Sequence, residues 1–445
     1  MLLSTVVTIA ATFLAAAPQK IVGYFPSWAP SQSPAFTWKE IDYSQVTHIC
    51  WSFGWPDSTN GNLAGITVQD ARNIDSLVAR SHANGVKVLL SLGGGGMART
   101  FPKVATTPAL RAKFCHNVKT FLASHQLDGA DMDWEWEATP PASDTAGYRL
   151  LVRELRDSLG RNLLLTAAMP ASDWWAKWMP VAGIVDAMDW LGIMTYDMTG
   201  DWDTQSGYNS PLFNNPRSGI DHDVADLSVS SAMTYWNVKR AVPKSKLLFG
   251  QPFYGVRFAK GTTPGAAFSG SAVQEGYAEV SPQFAGWTRH WDDTAKANWA
   301  TTSSGEYVSW DDPRTAAMKA RWAKDNGYAG AIVWELSQDW SPNAGHPMLD
   351  SLARILLENP SSTAPSRKFD NFRLVLDRAS MTARISGAHP RRLDLLDLEG
   401  RIVRTAPRHG DLVELDLHGL RPGLYLVRGS SDGMDRTAPW VVTGP

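Results

Sequence analysis

The chain has 445 residues, of which 44% are hydrophobic and 19% are charged, so it can bury one large core or several smaller ones. Its formal net charge of -2 gives no electrostatic reason to expect binding to nucleic acid or to an anionic membrane surface. The 20 tryptophans are the unusual feature, because indole rings pack well in cores and also suit flat apolar ligands such as sugar rings.

The first segment is an uncharged apolar run, residues 2–17, which is too short to span a membrane comfortably and ends in small residues. We interpret residues 1–17 as a signal peptide, which predicts a secreted, extracellular protein that is either released or attached to the cell surface. No later stretch is long and apolar enough to predict a membrane span. Two cysteines, Cys50 and Cys115, exclude a disulfide scaffold, and we expect both to be buried free thiols.

Eight short apolar runs follow the leader, and helix-like segments separate several of them. Strands that are apolar along their whole length are typical of a parallel sheet covered by helices. The repeated βα alternation therefore predicts an α/β fold, a (β/α)8 TIM barrel over residues 18–358. The predicted helices are residues 68–83, 108–125 and 144–159, and the predicted strands are residues 21–25, 46–53, 86–92, 127–134, 163–169, 190–196, 247–253 and 329–334.

The regular alternation stops after the seventh predicted strand. Residues 259–307 are rich in Gly, Ser and Thr and carry no long helical pattern, which predicts a short insertion on the active face, either a wall of the cleft or a long loop. Residues 359–368 have the composition of a linker. Residues 369–445 show alternating segments that meet glycine turns, which predicts a small all-β sandwich domain.

Three carboxylates recur with period two at the end of the fourth predicted strand: Asp131, Asp133 and Glu135. In a strand they point to one face, while Ala130, Met132 and Trp134 occupy the other. A solvated acidic edge is the alternative interpretation of such a row. The large apolar residues on the opposite face favour instead a buried catalytic group, in which neighbouring carboxylates raise one another's pKa.

The segment from Asp128 to Glu135 matches the DGxDxDxE motif of family 18 glycoside hydrolases, and the chain resembles that family over residues 20–355. Further motifs occur on successive strands. Ser91-Leu-Gly93-Gly94 resembles SxGG, and Met194-Thr-Tyr196-Asp197 resembles MxYD. Phe253-Tyr254-Gly255 resembles the strand-seven motif, and Val333-Trp334 resembles the strand-eight tryptophan. Together these motifs make the resemblance specific, although SxGG alone is weak.

The resemblance implies a retaining chitinase in which the N-acetyl carbonyl of the substrate attacks the anomeric carbon. Glu135 is then the general acid and later the base. Asp133 holds the acetamido N–H, and Asp131 shares a proton with Asp133. Tyr196 donates to the acetamido oxygen. The resemblance implies no metal and no cofactor. The implied substrate-binding or supporting residues are Asp197, Met194, Trp334, Tyr24, Ser91, Phe53, Tyr254 and Trp136.

Several interpretations stay open at this point. Trp28, Trp51 and Trp55 are expected to pack in the core, whereas Trp174, Trp175, Trp178 and Trp202 are equally compatible with stacking platforms and with packing. Glu137 is a rival acid by strand parity, but it lies beyond the motif.

Gly95 stands where the family often has an aromatic residue. This difference and the short insertion favour a shallow cleft and endo-acting cleavage.

The tail, with Gly400-Arg401 and Arg421-Pro422-Gly423, resembles a C-terminal sorting domain of type IX secretion cargo, which implies the secretion machinery as a partner. A carbohydrate-binding module is the alternative, although the tail has few aromatic residues. We expect a monomer that acts on chitin or another N-acetylglucosamine-containing polysaccharide. The alternatives are an endo-β-N-acetylglucosaminidase acting on N-glycans and a non-catalytic chitin-binding lectin.

Overall fold

The computed structural model describes residues 19–216 and 227–357, together with residues 373–377, 382–386, 390–396, 402–407, 412–420, 423–431 and 434–442. The predicted signal peptide and the predicted linker lie outside these described residues. The chain divides into two compact units, Met1–Asn359 and Pro360–Pro445.

Eight parallel strands of the first unit close into a barrel, which confirms the predicted (β/α)8 fold. Each of the eight overlaps the apolar run predicted for it, because a strand covered on both faces is apolar along most of its length. The strands of this unit are β1 (Lys20–Pro26), β2 (His48–Pro56), β3 (Leu63–Ala64), β4 (Lys87–Gly93), β5 (Gly129–Asp133), β6 (Leu164–Pro170), β7 (Leu191–Met194), β8 (Leu247–Pro252), β9 (Tyr254–Phe258), β10 (Ala272–Gly276), β11 (Thr288–Asp292), β12 (Ala297–Thr301), β13 (Tyr307–Trp310) and β14 (Gly330–Trp334).

The barrel runs in the order β1-β2-β4-β5-β6-β7-β8-β14, and β14 pairs with β1 to close it. Side chains alternate across the wall, as the strand period requires. In β1, Ile21 and Phe25 belong to the large cluster of buried side chains that packs against the helices, whereas Val22 and Tyr24 belong to a separate cluster with Cys50. We assign this second cluster to the barrel interior. Cys50 and Cys115 are buried free thiols.

Helices cover the outside of the barrel, and local sequence signals set several of their ends. The first begins after Thr67, whose hydroxyl accepts from the Asp70 N–H while the Asp70 carboxylate accepts from the Thr67 N–H. Gly160 ends another with a φ of 70°. The helices are α1 (Val68–His82), α2 (Phe101–Thr106), α3 (Pro108–Ser124), α4 (Ala142–Leu159), α5 (Asp173–Ala176), α6 (Val229–Thr234), α7 (Tyr277–Val280), α8 (Pro313–Asp325) and α9 (Pro347–Leu356).

The insertion after β8 is a five-stranded antiparallel sheet in the order β10-β9-β13-β12-β11. It runs from Tyr254 to Trp310, so it is wider than the predicted 259–307 and is not a loop. β9 follows β8 after a single residue, Phe253, and the sequence shows no turn there that would separate the two strands. The short strands were hidden among Gly, Ser and Thr because each strand is only four or five residues long.

The second unit contains two antiparallel sheets, which confirms the predicted all-β tail. One has the order β15-β16-β19 and the other the order β18-β17-β20-β21, where the strands are β15 (Arg373–Asp377), β16 (Thr382–Ser386), β17 (Pro390–Leu396), β18 (Ile402–Pro407), β19 (Leu412–Asp416), β20 (Gly423–Ser431) and β21 (Met434–Val442). Buried apolar side chains come from both sheets, including Leu393, Leu395 and Val427 in one and Leu415 in the other.

Candidate active site

A cavity of about 510 Å³ opens at the carboxyl ends of the barrel strands, the edge at which barrel enzymes place their chemistry. Of the predicted site residues, the following line it: Tyr24, Phe53, Asp133, Glu135, Met194, Tyr196, Asp197 and Trp334. They come from the ends of five different strands, so the closed barrel alone brings them together. We name this space the catalytic cavity.

Asp131 lies behind the catalytic cavity and is held by three hydroxyl groups. Its Oδ2 accepts from the Tyr24 hydroxyl at 2.8 Å and from the Ser91 hydroxyl at 3.0 Å. Its Oδ1 accepts from the Thr166 hydroxyl at 2.5 Å. Ser91 and Thr166 are the register partners of Asp131 on β4 and β6, so all three side chains point into the barrel. Burial raises the pKa of Asp131, and the three donated hydrogen bonds oppose that shift.

The resemblance implies a proton shared between Asp131 and Asp133, but within the described residues no hydrogen bond joins the two carboxyl groups. Hydroxyl donors already occupy both oxygens of Asp131. The Oδ1 of Asp133 is buried and has no hydrogen-bond partner in the part of the chain that the structure describes. This atom is an acceptor beside the cavity, and it calls for an N–H or O–H from a bound molecule.

The pKa values of Asp133 and Glu135 are both raised. Burial, and then the charges of Glu135 and Asp131, hold the pKa of Asp133 well above its usual range. Burial, and then the charges of Asp197 and Glu137, raise the pKa of Glu135 to about 7. Glu135 can therefore hold a proton near neutral pH and release it in response to small changes, which is what a general acid requires.

Tyr196 and Asp197, which follow β7, also line the cavity. The Asp197 Oδ1 accepts from the Tyr254 hydroxyl at 2.6 Å and from the Gln274 amide at 2.9 Å. Its backbone has a φ of 54°, and its N–H donates to the Asn209 Oδ1 at 3.0 Å. Gln274 lies on β10, so the insertion sheet contacts a residue that lines the cavity. Burial raises the pKa of Asp197, and the two donated hydrogen bonds oppose the shift.

Aromatic rings form the remaining wall. The Trp334 ring lies 5.7 Å from Phe53 and 5.6 Å from Tyr24, measured between ring centroids. Trp28 lies 6.4 Å from Trp334, lines the cavity and is 45% exposed. Trp55 also lines the cavity. The prediction of packing is therefore wrong for Trp28, whereas Trp55 is half-buried with its ring against Gly65, which agrees with packing.

The other tryptophans differ in their surroundings. Trp51 is fully buried and stacks on Phe25 at 5.3 Å, so packing is the correct interpretation for it. Trp174 and Trp202 are 60% and 63% exposed and do not line the catalytic cavity, nor do Trp175 and Trp178.

Three of the predicted substrate-binding or supporting residues do not line the cavity: Trp136, Tyr254 and Ser91. Trp136 is half-buried and packs edge-on against Trp134 at 6.1 Å and Tyr148 at 6.0 Å. Tyr254 is buried and reaches the cavity through its hydrogen bond to Asp197. Ser91 is likewise buried behind Asp131.

Sequence reasoning missed three residues that hold the site: Thr166, Asn209 and Gln274. Thr166 left a signal, because it is the single polar residue in the apolar run 163–169 and it has the same strand parity as the residues that face inward. Asn209 and Gln274 left no such signal, since a loop and an edge strand bring them to Asp197 from 12 and 77 residues along the chain.

The glycines of the Ser91-Leu-Gly93-Gly94 motif allow β4 and β5 to approach closely. Gly93 has a φ of 125°, and a Cβ there would lie 2.1 Å from the Asp133 carbonyl oxygen. The Gly94 N–H donates to that same oxygen at 2.8 Å. Glycine at position 93 therefore sets the backbone position of Asp133.

No group of three or more His, Cys, Asp or Glu side chains suited to a metal ion occurs among the residues described. Across the same residues, none of the helices is both long enough and apolar enough to cross a membrane.

The family model for glycosyl hydrolases family 18 matches residues 20–339, which include the whole barrel and the insertion sheet. The chain belongs to glycosyl hydrolase family 18. This family 18 chain is 29% identical to chitinase A1 of Niallia circulans over 74% of its own length and 58% of that protein. It thus spans little more than half of that relative.

Solved structures share the fold. A mutant of catalytic domain 2 of the Ostrinia furnacalis Group II chitinase, in complex with penta-N-acetylchitooctaose, (NAG)5, is 26% identical, with a TM-score of 0.71 over 76% of this family 18 chain and 96% of that chain. Human YKL-39, a pseudo-chitinase with retained chitooligosaccharide binding properties, is 24% identical, with a TM-score of 0.69 over 76% and 100% of the two chains. The same fold therefore occurs both in a chitinase and in a pseudo-chitinase.

Proposed function

We propose that this chain is a secreted chitinase, which hydrolyses β-1,4 bonds of chitin and of N-acetylglucosamine oligomers with retention of configuration. The observation that carries the proposal is a pair of carboxyl groups with raised pKa values at the catalytic cavity. Glu135 has a pKa of about 7, and Asp133 beside it presents a buried oxygen with no partner among the described residues. The chitinase among the similar structures, which binds a chitooligosaccharide, supports the choice of substrate.

In the first step, protonated Glu135 donates its proton to the glycosidic oxygen as the bond from that oxygen to the anomeric carbon breaks. The acetamido carbonyl oxygen of the same sugar attacks the anomeric carbon and forms a cyclic oxazolinium ion. In the second step, the Glu135 carboxylate takes a proton from water while the water oxygen attacks the anomeric carbon. The ring opens, the acetamido group is restored, and two inversions give net retention.

Asp133 and Tyr196 have complementary roles in this mechanism. The unpartnered Oδ1 of Asp133 can accept the acetamido N–H, which aligns the carbonyl oxygen and stabilises the positive charge that develops on the ring. The Tyr196 hydroxyl can donate to the acetamido oxygen. Burial and the surrounding carboxylates, Asp133 foremost among them, keep the pKa of Tyr196 well above its usual range, so it stays a donor.

Hydrolysis of tetra-N-acetylchitotetraose, followed by proton NMR, tests the proposal. We expect the β-anomer to form first, and we expect the fully de-N-acetylated tetramer to react about 10²-fold more slowly or worse, because it lacks the internal nucleophile. A first-formed α-anomer, or equal rates on the two tetramers, contradicts the mechanism. Release of glycans from a high-mannose glycoprotein, with the chitin oligomers intact, would identify an endo-β-N-acetylglucosaminidase instead. Binding of the tetramer without turnover would identify a lectin.

The cleavage pattern and the export route belong to the same proposal. The short insertion sheet and the absence of an aromatic side chain at Gly95 support endo-acting cleavage, so insoluble chitin should yield mixed oligomers. Almost exclusive release of dimers contradicts this.

Residues 1–17 would direct secretion, and residues 369–445 would act as a sorting domain. Deletion of residues 369–445 should block export and leave turnover of soluble oligomers intact. Retained export with lost adhesion to chitin would show a carbohydrate-binding module.

A further inference from the structure

A second cavity, of about 450 Å³, lies on the insertion sheet and shares no lining residue with the catalytic cavity. Trp291, Asn298 and Trp310 stand directly opposite one another on β11, β12 and β13, so their side chains share one face of the sheet. We name the space the insertion pocket. Its walls include Trp287, Arg289, Trp291, Asn298, Trp310 and Asp312.

Two residues that line this pocket, Asn298 and Trp310, each carry a buried N–H that has no partner among the described residues. Asn298 is 8% exposed and Trp310 is 5% exposed. Across the described segments of the chain, neither the Asn298 amide nitrogen nor the Trp310 indole nitrogen finds a hydrogen-bond acceptor. An unpaired buried donor destabilises the folded chain, so two at one cavity favour a ligand that supplies oxygen acceptors.

The rest of the wall suits a neutral ligand with apolar faces. Trp287 and Trp291 are half-buried, and guanidinium groups hold both rings: Arg257 lies 5.1 Å from the Trp287 centroid and Arg314 lies 3.8 Å from the Trp291 centroid. Arg289 and Asp312 contribute one charge of each sign. A sugar ring combines an apolar face for the indoles with hydroxyl and acetamido oxygens for the unpaired donors.

The sheet order places this pocket outside the catalytic cavity. Gln274, which contacts Asp197, lies on β10 at one edge of the sheet, whereas β11 forms the other edge. The strands β13, β12 and β11 are two, three and four positions from β10, which corresponds to about 10–19 Å at the usual strand spacing. The catalytic site and the insertion pocket therefore form two separate contact points on one rigid sheet and barrel.

We propose that the insertion pocket is a second, non-catalytic binding site for an N-acetylglucosamine oligosaccharide. The choice of this sugar rests on the proposed function. A second contact on the same polymer raises the effective concentration of substrate at the catalytic cavity, so its benefit is expected on insoluble chitin more than on short oligomers.

Isothermal titration of tetra-N-acetylchitotetraose into the full-length Glu135→Gln variant tests this, because that variant does not consume the ligand. We expect two sites for each chain. Adding Trp291→Ala should weaken one of them about 10-fold or more and leave the other unchanged. Arg289→Ala, an exposed position, should weaken the same site and serves as the second variant if Trp291→Ala fails to fold. Arg321→Ala, an exposed arginine of α8 that lines neither cavity, is the matched control and should keep both sites.

A single site that neither pocket variant alters overturns the insertion pocket as a sugar site, and so does a second site that both variants leave intact. The proposed function fails separately. If the wild-type chain binds two tetramers and hydrolyses none, the chitinase proposal is wrong, but the insertion pocket is retained as a sugar-binding site. If the wild-type chain hydrolyses tetramers and each Glu135→Gln chain binds only one, the chitinase proposal is retained and the insertion pocket is not a sugar-binding site.

Discussion

The catalytic cavity and the insertion pocket are both lined by tryptophan, and both border buried polar atoms that have no partner among the described residues, but the polarity of those atoms differs. At the catalytic cavity the atom is an acceptor, the Oδ1 of Asp133, and carboxyl groups with raised pKa values surround it. At the insertion pocket the atoms are the N–H donors of Asn298 and Trp310, and the carboxylate in the wall, Asp312, caps a helix by accepting from the Thr315 N–H.

This difference separates a cavity that can catalyse a reaction from a pocket that can bind sugar without reacting with it. An unpaired acceptor beside a protonated carboxyl group can orient an acetamido group and deliver a proton to the bond next to it. Unpaired donors beside indole rings can only hold oxygen atoms. Tryptophan is common to both places, so aromatic content indicates where sugar can bind, and the arrangement of carboxyl groups indicates where it can react.

The largest effect is expected from removing the proton donor, because this change should abolish catalysis and leave sugar binding at both cavities. Glu135→Gln should lower kcat on tetra-N-acetylchitotetraose by about 10³-fold or more, because a glutamine cannot transfer a proton to the leaving oxygen, and should leave binding nearly unchanged. Glu137→Gln is the matched control two residues along, an exposed position, and should retain turnover within about threefold. Near-wild-type activity of Glu135→Gln in a steady-state assay would refute its assignment as the acid.

The hydrogen bonds behind Asp133 can be tested with an isosteric change. Thr166→Val removes the 2.5 Å hydrogen bond to the Asp131 Oδ1 and leaves that buried oxygen without a partner. We expect the free energy of unfolding to fall by about 1–3 kcal/mol, measured by urea denaturation. Because that bond lowers the pKa of Asp131, its loss should raise the pKa further and reduce turnover.

Thr199→Val, which removes a buried hydrogen bond to the Tyr208 carbonyl outside the cavity, is the control for Thr166→Val and should cost stability without comparable loss of turnover. Equal loss of activity in both variants would mean that Thr166 acts through general stability alone.

A buried acid outside both cavities sharpens the comparison, because a raised pKa does not by itself make a catalyst. Burial raises the pKa of Asp339 to about 7, and its carboxylate accepts from the N–H groups of Met348 and Leu349 at the start of α9. A raised pKa in the folded state favours the protonated form, so this contribution to stability is complete below the unfolded pKa near 4 and is lost as pH rises through 7.

We therefore expect thermal stability to fall from pH 5 to pH 8, by at most about 1.4 kcal/mol per pH unit for each such group. Asp339→Asn should flatten part of this slope in calorimetry and leave turnover unchanged. An identical slope in the variant would show that Asp339 does not titrate in this range.

The smallest effect concerns the pH profile. Since Glu135 must be protonated to act, kcat/KM should decline as pH rises through about 7. The charge of Glu137 raises the pKa of Glu135, so Glu137→Gln should move this basic limb to lower pH. Arg99 lies 3.8 Å from Glu137 and both side chains are well exposed, so salt should reduce the shift. A limb that moves to higher pH would contradict the electrostatic account.

The sequence predicted the barrel well, because a strand that is buried on both faces is mostly apolar, and eight such runs allow few arrangements. It predicted the edges of the insertion poorly, because strands of four or five residues among Gly, Ser and Thr resemble loops. The interpretation of Trp28 failed for a related reason. Whether an indole ring is buried or borders a cavity depends on neighbours that come from other strands, such as Trp334 beside Trp28.

By itself, the sequence determined that Asp131, Asp133 and Glu135 share one face, since strand period is a local property of the backbone. Only the tertiary structure decided how they differ. Three hydroxyl groups from β1, β4 and β6 satisfy Asp131, no group of the described residues donates to the Oδ1 of Asp133, and Asp197 from another strand end helps to raise the pKa of Glu135. Identical carboxyl groups acquire different protonation because burial and partners, which set a pKa, come from residues far away in the chain.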